Sequence, residues 1–220
     1  MPNAATDLEL RDLLLNPFIY PKTHHRRTLN PHTVASYKAI LRAEFGFQCV
    51  YCRLPDGVKG QDSFGVDHYR PRSLFPELRT TYSNLFYACN ACNRRKGDYW
   101  PSADELRARR FIPNPCDHIM FEHLRYRGAR VEPHSPAGEH SEKRLMLNDD
   151  ESVQYREFVF GLIAMSEEKK RSVSETISRI ERKLSNAPEQ EEVLQRERQS
   201  CVAQLDEIDS FLARLTDGGT

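Results

Sequence analysis

Four short runs decide the fold: Cys49-Val50-Tyr51-Cys52, Gly65-Val66-Asp67-His68-Tyr69-Arg70-Pro71-Arg72, Tyr82-Ser83-Asn84-Leu85 and Cys89-Asn90-Ala91-Cys92-Asn93-Arg94-Arg95-Lys96. The first and last carry cysteine pairs at the same CxxC spacing. Each pair folds as a knuckle that aims two thiolates at one point. Together Cys49, Cys52, Cys89 and Cys92 supply the four sulfurs of a closed, tetrahedral Zn2+ site. A closed site keeps no position for water, so this zinc is structural. Between the pairs lie 36 residues, Arg53 to Ala88. That is more than a plain zinc ribbon uses, so something is inserted there.

The insert holds the chemistry. Phosphodiester hydrolysis needs a base for water, a divalent cation to stabilise charge on phosphorus and cationic groups on the phosphates. The Asp67 carboxylate and the Asn93 amide oxygen suit a hard cation such as Mg2+ or Mn2+. His68 is of the residue type suited to taking a proton from water near neutrality. Arg70, Arg72, Arg94 and Lys96 are candidates for phosphate contact. From Cys49 to Trp100 there are eight Lys or Arg against five Asp or Glu, a basic excess at the place where phosphates would bind.

On these residues, the stretch of about 45–101 resembles the CxxC-containing branch of the HNH endonuclease family. The resemblance implies a ββα-metal unit, in which a two-stranded hairpin and a helix grip one catalytic cation. It also implies roles. His68 matches the general base and Asp67 the adjacent metal ligand. Asn84 matches the central Asn that holds the loop and orients the base through a backbone contact. Asn93 matches the last ligand, and Lys96 falls where the family often has a basic residue near the scissile phosphate. The last letter of the family's name is Asn here, a neutral oxygen ligand that suits Mg2+ or Mn2+ better than a softer metal. Phe75-Pro76-Glu77-Leu78 and Lys96-Gly97-Asp98-Tyr99-Trp100-Pro101 are similar to a subgroup of small bacterial HNH proteins, some of which serve in phage defence beside an ATPase partner. Leu85, Phe86, Tyr87 and Trp100 are most simply core packing around the zinc.

Outward from this unit the chain becomes helical. On the N-terminal side, Leu8 to Leu15 suits a short helix, and Asn30-Pro31 is a helix start. From there Val34, Tyr37, Ile40, Leu41 and Phe45 recur at helical spacing, with Gly46 placed to stop the helix. On the other side, Phe111 to Pro115 and His118 to Glu132 look extended, with Arg127-Gly128 as a turn. Ser135-Pro136 starts a helix that runs toward Leu147. From Glu151 to Leu215 two apolar stripes, Tyr155 to Leu184 and Leu194 to Leu215, predict a long helical hairpin broken at Asn186-Ala187-Pro188-Glu189, where Asn186 is the new N-cap. Acids and bases number eight each between Ser166 and Gln199, which suits a salt-bridged surface and not a nucleic-acid arm.

The expected fold is α+β and mostly helical. A helical segment (1–48) leads into an HNH nuclease domain with zinc knuckles (49–147), followed by a C-terminal helical hairpin (148–220). The whole chain balances 32 basic against 32 acidic residues, so it is no general polyanion binder. Neither a membrane-spanning run nor a signal-peptide pattern is visible, and a cytoplasmic protein is expected. Cys116 and Cys201 read as ordinary small residues, the histidines at 118, 123, 134 and 140 show no ligand spacing, and His24-His25 reads as polar surface before a metal site. Arg125, Arg127 and Arg130 suit a solvated hairpin face, with a contact to DNA as the lesser alternative. The expected function is metal-dependent cleavage of nucleic acid, with DNA the first expectation and a partner protein such as an ATPase docking on the hairpin. The alternative is a catalytically inactive, zinc-stabilised module that binds nucleic acid or protein.

Overall fold

The computed structural model describes residues 37–185 and 188–216. The expected helix over 8–15, the helix start at Asn30-Pro31, the His24-His25 pair and the Asn186 cap lie outside the described residues.

Helix α1, Lys38–Glu44, buries Leu41, and Tyr37 and Phe45 flank it at the spacing that puts all three on one face. Gly46 stops it as expected. Its φ of 62° is left-handed, and the next two amides turn back, Gly46 N–H to Ala43 O at 3.1 Å and Phe47 N–H to Arg42 O at 2.8 Å. A short helix α2, Asp56–Lys59, follows the first knuckle. Its Asp56 carboxylate is fully buried but well paired, accepting from Arg42 at 2.6 Å and 3.1 Å and from the Tyr87 hydroxyl at 2.7 Å. These contacts tie α1, α2 and the sheet together.

Strands β1 (Phe64–His68) and β2 (Leu85–Cys89) pair antiparallel, from Phe64 opposite Cys89 to His68 opposite Leu85. Helix α3, Asn90–Lys96, begins with no intervening loop because Cys89 doubles as its N-cap, accepting from the Cys92 N–H at 3.5 Å. Gly97, at φ 53°, ends it. The expected ββα unit is therefore present, with a long excursion between its strands.

Beyond it come α4 (Ala103–Arg107), closed by a Ser102/Glu105 capping box, and a second hairpin of β3 (Leu124–Arg127) and β4 (Arg130–Pro133). Of the two expected extended runs, 118–132 forms strand only from Leu124, and 111–115 forms none. The latter passes into turns, with the Asn114 side chain accepting from the Cys116 N–H at 3.0 Å. Helix α5, Pro136–Leu145, starts where Ser135-Pro136 predicts, the Ser135 hydroxyl accepting from Gly138 N–H at 3.0 Å, and stops two residues short of Leu147.

Helices α6 (Asp150–Leu184) and α7 (Glu191–Thr216) form the long hairpin. Its base is part of the same core as the ββα unit. Val159, Ile163, Leu212 and Leu215 join the cluster that holds Phe45, Phe64, Leu85 and Phe86. Gly57 in α2 lets the end of α7 come close, since a Cβ there would lie 1.6 Å from the Arg214 carbonyl oxygen. No helix among the described residues is long and apolar enough to cross a membrane.

Candidate active site

The four knuckle cysteines are buried and unbridged, and their sulfurs all lie within 4.8 Å of one another. Cys52 and Cys89 sulfurs are 3.9 Å apart, close to the edge of a tetrahedron with zinc–sulfur bonds of about 2.3 Å. The backbone supports the sulfurs: the Tyr51 N–H donates to Cys49 Sγ at 3.4 Å, as the Cys92 N–H does to Cys89. Burial pushes the Cys49 thiol well above its ordinary pKa, while hydrogen bonds from Cys49, and then from Cys52 and Cys92, draw Cys89 below it. The donor set fits zinc, bound as thiolates with release of the remaining protons.

Asp67 and His68 close strand β1, where Asp67 is buried and His68 half-buried. Asp67 is 3% exposed, and both its oxygens are engaged. The Tyr51 hydroxyl donates to Oδ2 at 2.5 Å, and Lys96 Nζ donates to Oδ1 at 3.1 Å. Burial, reinforced by the Asp67 charge, pushes the Tyr51 phenol well above its ordinary value, so it remains a donor. Lys96 is itself 2% exposed, and its ammonium also donates to the His68 carbonyl oxygen at 2.7 Å. It faces inward, where the sequence suggested a contact with phosphate.

The His68 ring has a fixed polarity. Nε2 lies 2.9 Å from the Arg79 carbonyl oxygen. A carbonyl can only accept, so Nε2 carries the proton and Nδ1 keeps a free lone pair. The backbone contact expected from Asn84 is thus made by Arg79, and Asn84 acts one step behind it. Its Oδ1 accepts from Arg70 N–H at 2.8 Å, and its Nδ2 donates to the carbonyls of Arg70 at 3.1 Å and Leu78 at 3.3 Å. It holds the loop against the end of β1 at 5% exposure.

A polar cleft of about 330 Å³ gathers Asp67, His68 and Asn93 with Arg72, Arg79 and Asp98. Two expected phosphate contacts lie outside this lining. Arg94 is on the exposed face of α3, and Arg70 lies over the Trp100 ring at 5.3 Å. Trp100 is not packed around the zinc either. It is half-buried against Tyr69 and Phe75, with centroids 5.6 Å and 5.2 Å away. Arg79, Asp98 and Tyr51 were not singled out in the sequence. Arg79 works partly through its backbone, which has no sequence signature, and Tyr51 inside a knuckle passes for an ordinary core aromatic.

The HNH endonuclease family model matches residues 49–99. The chain is also 33% identical over 79 residues to a Septu protein PtuB of Bacillus thuringiensis, a match that covers 34% of this chain and 29% of that protein. The chain therefore aligns with less than a third of that relative's length. No solved structure matches. The paired knuckles, the ββα unit and the Asp-His step at the end of β1 all fall within residues 49–99, the segment that matches the HNH endonuclease family model.

Proposed function

We propose that this protein is a metal-dependent endonuclease that hydrolyses phosphodiester bonds in nucleic acid, with DNA as its substrate. The observation that carries this reading is one cleft holding His68, with its Nδ1 lone pair free, beside Asp67 and Asn93. Held by the Asp67 carboxylate and the Asn93 amide oxygen, Mg2+ or Mn2+ would supply positive charge at the scissile phosphate and its leaving oxygen. Two protein ligands leave most of an octahedral shell to water and phosphate, the usual way Mg2+ is bound.

His68 Nδ1 takes a proton from water, the oxygen attacks phosphorus and the bond to the 3′ oxygen breaks, leaving a 5′-phosphate and a 3′ oxygen that takes a proton from solvent to become a hydroxyl. Arg79 O keeps the ring from turning as it becomes charged, because Nε2–H remains bonded throughout. Arg72 and Arg79 side chains, both exposed at the cleft, contact neighbouring phosphates. Lys96 balances the buried Asp67 charge and pins the His68 backbone. Cytoplasmic phage defence beside a partner protein, docked on the α6–α7 hairpin, is part of this proposal. The likeness to a Septu protein PtuB and the exposed apolar Phe158 and Met165 on α6 support it.

One observation favours the inactive-module reading: Asp67 already has a cation, Lys96, at 3.1 Å. Cleavage separates the two. With Mg2+ or Mn2+ the purified chain should nick or cut supercoiled plasmid, and linear DNA and RNA in parallel arms fix the substrate class. Binding without cutting under either metal, alone and with co-purifying protein, contradicts the nuclease.

A further inference from the structure

Tyr51 lies between Cys49 and Cys52, so the zinc knuckle holds its backbone from both sides. Its hydroxyl reaches out of the knuckle to Asp67 Oδ2 at 2.5 Å, and the ring is 4% exposed. On the other oxygen sits Lys96 Nζ at 3.1 Å, itself anchored on the His68 carbonyl. A carboxylate offers about four lone-pair sites. Tyr51 takes one on Oδ2 and Lys96 one on Oδ1, so each oxygen keeps a lone pair for the cleft that Asp67 lines.

We infer that Tyr51 is a positioning residue for the catalytic cation, carrying the geometry of the zinc knuckle to the Asp67 carboxylate and keeping that carboxylate from turning onto Lys96. Tyr51 has this role only if Asp67 holds the cation of the nuclease proposed above. The direction of the effect follows from the two donors. A hydroxyl on a ligand oxygen withdraws some charge, which by itself weakens metal binding slightly. Without it, the buried Lys96 ammonium is the donor left on the carboxylate among the described residues, and rotation about the last side-chain bond lets both oxygens face it. The second effect is the larger, since a full charge at hydrogen-bond distance competes directly with the divalent cation. Partners that orient metal ligands commonly set affinity by about ten- to hundredfold. The arrangement also makes the structural zinc a condition for the reacting site, because loss of the knuckle frees Tyr51.

Tyr51→Phe keeps the buried ring and removes only the hydroxyl. Zinc-loaded parent and variant are titrated with Mn2+, and free Mn2+ is followed by electron paramagnetic resonance. The expected result is about ten- to hundredfold weaker Mn2+ binding in the variant, a parallel rise in the Mn2+ needed for half-maximal cleavage, and unchanged zinc stoichiometry. Equal or tighter Mn2+ binding by the variant overturns the role of Tyr51 and leaves the nuclease standing. Loss of zinc from the variant also overturns it, because Tyr51 would then be part of the knuckle's own stability. A parent that binds no Mn2+ and cuts nothing overturns both.

Discussion

At Lys96 the chain buries an ammonium group, and helix geometry explains why. Lys96 lies four residues after Cys92, so the two share one face of α3, and both are 2% exposed. Arg94 points to the other side and is exposed. A lysine three residues after Asn93 reads from sequence as a solvated cation for phosphate, since lysines are almost never buried unless paired. The pairing with Asp67, which reverses that expectation, is visible only in three dimensions. Asn84 shows the same limit in a milder form. Its importance was legible, but its partners were not, because they are backbone atoms of Arg70 and Leu78. Replacing Asn84 by Ala strands these buried groups. It should destabilise the protein by about 2–3 kcal/mol in denaturant unfolding, and slow cleavage at temperatures where the variant is still folded, because Leu78 adjoins the Arg79 carbonyl that holds His68. A variant of full stability would show that the Asn84 contacts are replaceable by water.

Among the elements, those with local chemical signals were legible. Gly46 ended α1, Ser135-Pro136 began α5, and the CxxC pairs placed the knuckles. The run 111–115 was misjudged because its apolar residues pack as an irregular segment that forms no strand, and sheet pairing is not a local property. The four sulfurs have the largest energetic consequence at this scale. Structural zinc contributes on the order of 10–16 kcal/mol in small zinc domains, comparable with the whole net stability of a domain. Stripping zinc with a strong chelator should therefore collapse the near-ultraviolet circular dichroism of the buried Tyr51, Tyr87 and Phe86. Because the thiols must ionise to bind, zinc uptake should release protons, and the apparent affinity should rise with pH. Calorimetry in buffers of different ionisation enthalpy measures both. An unchanged aromatic spectrum without zinc would mean that the knuckles hold by packing alone.

Over the whole molecule, part of the hairpin's balanced charge is paired across its two helices. Lys170 pairs with Asp209 at 2.7 Å and Arg198 with Glu181 at 3.0 Å, both between α6 and α7. With 35 residues α6 is about 50 Å long, and only its base joins the core through Val159 and Ile163. The stripes in the sequence foretold the hairpin. That its base and the ββα unit share one core was not legible, since the contact at Gly57 depends on the tertiary approach of Arg214. The cleft presents Arg72 and Arg79, charge that suits a phosphate backbone.

The most direct measurement is plasmid cleavage by His68→Ala beside the parent, in Mn2+ and with zinc content determined for both. His68 is half-buried, and its ring bonds the Arg79 carbonyl oxygen. The variant should therefore keep its zinc and its fold while cleavage falls by about 10²- to 10⁴-fold, the range for loss of a general base. Cleavage by His68→Ala at the parent's rate would contradict the assignment of this cleft as the active site.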